Sequence, residues 1–231
     1  METHPQSIDS TSNKEYFLLI LIFLGMMKVY YWICRDIALL IYPPDQHSIA
    51  DQLGTEIGML IRCIPIILFY WINRDHLKQY FITRDFSRNT ALILLIAHFT
   101  ILFLAIIYAI LETGNVSIYP INNWAELLFF PIYISILEEL EFRSIMFVKI
   151  SQFLSQYYPV EIAEYRTMIL IILWFGPIYH LRHFMDGNFL LYVIVILFGF
   201  FTTYLTAKTC KILPAIILHI SLNFYFVIFV T

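Results

Sequence analysis

Long apolar stretches separated by short polar joints run from residue 16 to the end of the chain, at about 16–34, 56–73, 90–111, 124–149, 168–186, 189–207 and 212–230. A bilayer-crossing helix needs about 20 predominantly apolar residues. The pattern therefore predicts an all-α, polytopic transmembrane helix bundle with seven or eight spanning helices. The fourth stretch is over-long, and an interfacial helix through 150–165 is a natural end for it. The joint Met185-Asp186-Gly187-Asn188 reads as a tight turn. Residues 1–15 form a polar tail, and residues 16–231 are expected to make a single membrane-embedded domain. The run 16–34 is too long for the apolar part of a signal peptide and lacks a small-residue cleavage site, so it reads as a retained anchor.

Composition sharpens this. Of 231 residues, 60% are hydrophobic and only 13% charged, against about 45–50% and about 25% for soluble domains. No large soluble domain fits. A net charge of −3 gives no reason to expect nucleic acid. The three cysteines, Cys34, Cys63 and Cys210, lie scattered in apolar surroundings and suggest no disulfide framework. Lys and Arg concentrate in alternate joints: Arg74, Lys78, Arg84 and Arg88 in the second, Lys149 and Arg166 in the fourth, Lys208 and Lys211 in the sixth. The positive-inside rule then places these joints and the N-terminus in the cytosol. Asn115-Val116-Ser117, formally a glycosylation acceptor, falls on the far side, close to the membrane.

Against this apolar background the segment Glu138-Glu139-Leu140-Glu141-Phe142-Arg143 stands out. Each such charge costs about 2.5–3.5 kcal/mol at the centre of a spanning helix and survives only facing protein or a water-filled cavity. On a helix Glu139 and Arg143 are four apart, with the acid N-terminal to the base, the better order for a pair. Glu138 points about 100° away and is left as the chemically available acid. The fifth stretch holds His180 and His183, three apart on one face; the seventh holds His219 and Asn223, four apart on one face. Glu138, His180 and His219 fall at similar depth, which suits water activation beside an oxyanion site. Taken singly, each of these residues has a structural reading: His98 as a packed or interhelically bonded residue, and Lys28, Arg35 and Arg62 as snorkelling or paired cations.

The ordered set resembles the CAAX prenyl protease type 2 family, within the CPBP (ABI) glutamate intramembrane proteases. Glu138-Glu139-x-x-x-Arg143 matches the family's EExxxR motif, inside an EELxFR-like EELEFRS. His219-x-x-x-Asn223 matches its last motif. The middle motif, FxxxH or FGxxHxHH, is met by Phe175-Gly176 with the first histidine one residue late, at His180, while Tyr179 occupies the ungapped position. With one inserted residue His180 takes the catalytic place; His183 is the alternative. The resemblance spans about residues 124–230. It implies an endopeptidase of the endoplasmic reticulum membrane, open to the cytosol, that removes the last three residues of prenylated Cys-a-a-X proteins without a cofactor or metal. It assigns water activation to Glu138 and His180, oxyanion binding to His219 and Asn223, and support to Glu139, Arg143 and His183. Competing readings are a zinc-dependent membrane protease, although HExxH is absent; a non-catalytic membrane scaffold; and a proton-coupled transporter, although no inverted repeat is visible.

Overall fold

The computed structural model describes residues 18–19, 21–22, 29–42, 54, 57–58, 60–73, 88–113, 124–209 and 211–229. Every regular element among them is helical. The chain divides into two compact units, Met1–His76 and Leu77–Thr231.

In the first unit lie α1 (Val29–Ile41) and α2 (Leu60–Asn73). Both turn large apolar side chains outward, among them Trp32, Leu40, Ile64 and Trp71. The backbone at Gly54 runs so close to α1 that a Cβ there would sit 2.6 Å from the Cα of Arg35. Arg62 is buried in α2 rather than reaching the surface. Cys34 and Cys63 are both half-buried. Residues 16–17, 20 and 23–28 of the expected first span, the second joint from Arg74 to Ser87, Asn115 and Cys210 lie outside the described residues.

The second unit runs α3 (Arg88–Thr113), α4 (Trp124–Glu139), a π-helical turn (Leu140–Met146), α5 (Phe147–Leu154), α6 (Val160–Leu173), a second π-helical turn (Trp174–Tyr179), α7 (Leu181–Met185), α8 (Phe189–Thr209) and α9 (Leu213–Phe229). Helix α9 packs on α3, α4 and α8, while α6 packs on α5 and α8. Sequences apolar all round must be buried or lipid-facing. Accordingly α3 buries Ala97, Ile101, Ala105 and Ala109 and turns Leu92, Phe99, Phe103 and Leu111 outward. Across this face Tyr225 and His98 share a hydrogen bond of 2.5 Å between α9 and α3, the interhelical role for that histidine.

Among the described residues, α3 over Arg88–Leu111 and α8 are long and apolar enough to cross a bilayer. Also among the described residues, Leu60–Asn73 and Leu213–Phe226 are shorter apolar helices, and π-helical turns interrupt the fourth and fifth stretches. The interfacial helix expected through 150–165 does not form: α5 stops at Leu154, and α6 starts at Val160 after Pro159. Proline suits that position because its missing N–H is one that a helix start leaves unbonded anyway. The expected turn is present, with Gly187 at φ +83°, a conformation open to glycine without steric cost.

Four buried or half-buried threonines line α8, and their hydroxyls are satisfied internally. Thr202, Thr203, Thr206 and Thr209 each donate to the carbonyl four residues back, at 2.7–3.0 Å. Such back-bonding is how hydroxyls are tolerated inside a helix with no water nearby.

Candidate active site

The charged segment starts on the last turn of α4 and continues into the first π-helical turn. Glu141, Phe142, Arg143, Ser144 and Ile145 are buried in succession. A helix at the edge of a bundle buries one stripe; burial on all sides places this turn at the centre of its unit. Glu138 and Glu139 are buried just before it.

Glu139 is the hub. Its Oε1 accepts from Arg143 Nη1 at 3.1 Å and from His219 Nδ1 at 2.8 Å. Spacing along the chain predicts one partner for Glu139; α9 supplies a second. Arg143, 1% exposed, also donates through Nη2 to Thr202 Oγ1 at 2.6 Å. Thr202 therefore accepts from the guanidinium while donating to Phe198. The flat face of the guanidinium lies 4.1 Å from the centre of the Phe175 ring. Gly199 makes room for that ring: a Cβ there would stand 2.8 Å from Phe175 Cδ1.

Glu138, the acid that helix spacing leaves chemically available, lies beside His219. Its Oε2 lies 3.7 Å from His219 Nε2, so His219 stands between the two carboxylates. A carboxylate only accepts, which puts a proton on His219 Nδ1 and turns Nε2 toward Glu138. Phe198 walls the imidazole at 4.7 Å between ring centres.

His180 follows the second π-helical turn. Proline at 177 cannot donate to the carbonyl four residues back and its ring crowds that carbonyl, a physical reason for the turn to widen here. On an α-helix residues 175 and 180 would point about 140° apart. A π-helix, bonding i to i+5, brings them onto one side. The Phe175 and His180 rings meet edge-on at 5.0 Å, and Phe175 reaches the His219 ring at 6.4 Å. One phenylalanine thus touches both imidazoles and the arginine. Tyr192 of α8 donates to the Pro177 carbonyl at 3.1 Å, and Gly176 lets α8 approach closely, since a Cβ there would lie 2.9 Å from Ile196 Cγ1. The His183 side chain lies outside what is described.

Asn223 stands one turn after His219 on α9 and donates through Nδ2 to Ser135 Oγ at 3.0 Å. Ser135 and Thr202 are the site neighbours that sequence reasoning missed. Each looks like an ordinary small polar residue within an apolar helix, and only the cross-helix partner reveals it. Among the described residues no group of three His, Cys, Asp or Glu side chains is arranged to hold a metal ion.

The arrangement offers a buried carboxylate beside an imidazole, that imidazole oriented by a second carboxylate, and a primary amide one turn away. These are the parts of a general base with hydrogen-bond donors for a developing oxyanion. Residues 120–225 match the family model described as "Type II CAAX prenyl endopeptidase Rce1-like". No curated protein matches the chain, and no solved structure does.

Proposed function

The chain belongs, through residues 120–225, to the Rce1-like family of type II CAAX prenyl endopeptidases, and on that premise we propose that it cuts the C-terminal tripeptide from prenylated Cys-a-a-X proteins within the membrane. The family makes it a membrane protease; the substrate and the water-activation route are our own reading. The observation that carries it is the ion cluster of Glu138, Glu139, Arg143 and His219, buried in a predominantly apolar bundle.

Glu138, aided by His180, takes a proton from a water that attacks the carbonyl following the prenylated cysteine. Bulk water is far too weak an acid to give up a proton unaided near neutral pH, so a base at hydrogen-bond reach is required. The 3.7 Å between Glu138 Oε2 and His219 Nε2 exceeds a direct hydrogen bond, and a water set to one side of the pair contacts both. When protonated, His219 donates from both nitrogens: Nδ1 stays on Glu139, and Nε2 faces the reacting carbonyl. The cluster then sums to zero, two carboxylates against Arg143 and the imidazolium. Asn223 supplies a second donor to the oxyanion, with such donors worth about 2.7–4 kcal/mol each. Burial of the isoprenoid at about 0.8 kcal/mol per CH₂ supplies substrate binding. The reading includes seven membrane spans in the endoplasmic reticulum, with the site open to the cytosol, where prenylated tails are made.

The deciding experiment is release of the tripeptide from a farnesylated Cys-a-a-X peptide by the detergent-solubilised protein, with and without a strong chelator. Cleavage that survives chelation is expected. Loss of activity on chelation, with recovery on adding Zn²⁺, favours the zinc protease instead. In the same assay His180→Ala is expected to be inactive and His183→Ala to retain turnover, because the widened turn brings residue 180 to Phe175. The reverse result moves the catalytic imidazole to position 183.

A further inference from the structure

Two polar links join α4 to α9. Glu139 meets His219 at 2.8 Å, and Ser135 meets Asn223 at 3.0 Å. The partners are four residues apart on each helix and run in opposite order, so the links form successive rungs between antiparallel helices. The first rung sets the His219 proton. The second has had no role.

We propose that Ser135 is a positioning residue that fixes the Asn223 amide with its NH₂ group turned toward the reacting carbonyl; this rests on the reading under Proposed function. Ser135 is 0% exposed, and its Oγ lies 2.5 Å from the Pro131 carbonyl oxygen. A carbonyl only accepts, so the single hydroxyl proton of Ser135 is committed to Pro131. What remains on Oγ is lone-pair density. Asn223 must then present a donor, Nδ2–H, to it. The flipped amide would bring Oδ1 against Oγ with no proton between them. An amide nitrogen has two hydrogens in one plane: Ser135 holds the first, which fixes the direction of the second. That second hydrogen is the one available to an oxyanion. Mid-helix serines in membranes often only bond back to the preceding turn, and polar contacts between spanning helices often serve only as glue. A glue role and a positioning role differ in what they do to turnover.

The test uses the full chain in detergent and the farnesylated peptide. Ser135→Ala is expected to lower kcat by about tenfold with KM little changed, the pattern of an interaction made mainly in the transition state. Ser135→Thr, which keeps one hydroxyl donor and its lone pairs, is expected to recover most of that loss. In an Asn223→Ala background Ser135→Ala should cost nothing further, since the residue acts only through the amide. Wild-type kcat in Ser135→Ala overturns the proposal. So does a loss that persists undiminished in the Asn223→Ala background, or an equal loss in Ser135→Thr. A thermal unfolding cycle over the same four proteins reads the link without turnover: Ser135→Ala should lower the midpoint beside Asn223 and leave it unchanged in the Asn223→Ala background. If the wild-type protein releases no tripeptide, the proposed function is what falls, and additive midpoint shifts then overturn the Ser135–Asn223 link on their own.

Discussion

Turnover of a farnesylated Cys-a-a-X peptide is expected to fall by about 10²–10⁴-fold when Glu138 is replaced by glutamine, the usual contribution of a positioned general base. Glutamine keeps the length and shape of the side chain and its hydrogen-bonding reach but cannot carry away a proton. The hydrogen bonds that hold the hub run through Glu139, not Glu138, so membrane insertion and the unfolding midpoint should hardly change. Glu139→Gln should behave differently. It weakens the acceptor that serves both Arg143 and His219, and should lose stability and rate together. A Glu138→Gln protein turning over within a few-fold of wild type would rule out that carboxylate as the base.

Arg143→Ala is expected to be the most damaging change to folding, at about 3–5 kcal/mol, the range for breaking a buried ion pair and stranding its partner. Net stabilities are only about 5–15 kcal/mol, so most of the protein should fail to fold or aggregate on solubilisation. The loss combines two Nη contacts, to Glu139 and Thr202, with the stacking on Phe175. Lysine should not rescue it, because its one nitrogen cannot stand at both places that Nη1 and Nη2 occupy, and it lacks the planar face. Arg143→Ala combined with Glu139→Ala should be less destabilised than the sum of the two single changes. The measurement is the monodisperse fraction in detergent together with its thermal midpoint. An Arg143→Ala protein with an unshifted midpoint would show that the cluster does not hold the charged turn against α8.

The helices that lie where the hydrophobic pattern put them are those with uninterrupted apolar runs: α3 against 90–111, α8 against 189–207 and α9 against 212–230. The pairing of Glu139 with Arg143 was legible because it depends only on spacing within one segment. His219 on the same carboxylate was not, because periodicity along a chain carries no information about which helix faces which. The same limit hid Ser135 and Thr202, whose significance lies wholly in partners 88 and 59 residues away. The break at Pro159 was legible in principle, since the residue before a proline is pushed out of helical geometry; the apolar runs on either side masked it. The match over residues 120–225 agrees with the family that the three motifs suggested.

The widened turn before His180 has a consequence for comparing genomes. Five residues here do the work that four do on a regular helix, so the chain can absorb one inserted amino acid without displacing the helix beyond it. On the proposed function, an alignment that forbids a gap in this stretch would set Tyr179 at the histidine position of the middle motif and pass over His180. Chains dismissed as inactive on that basis merit a direct activity assay whenever a proline stands two or three positions ahead of a displaced histidine.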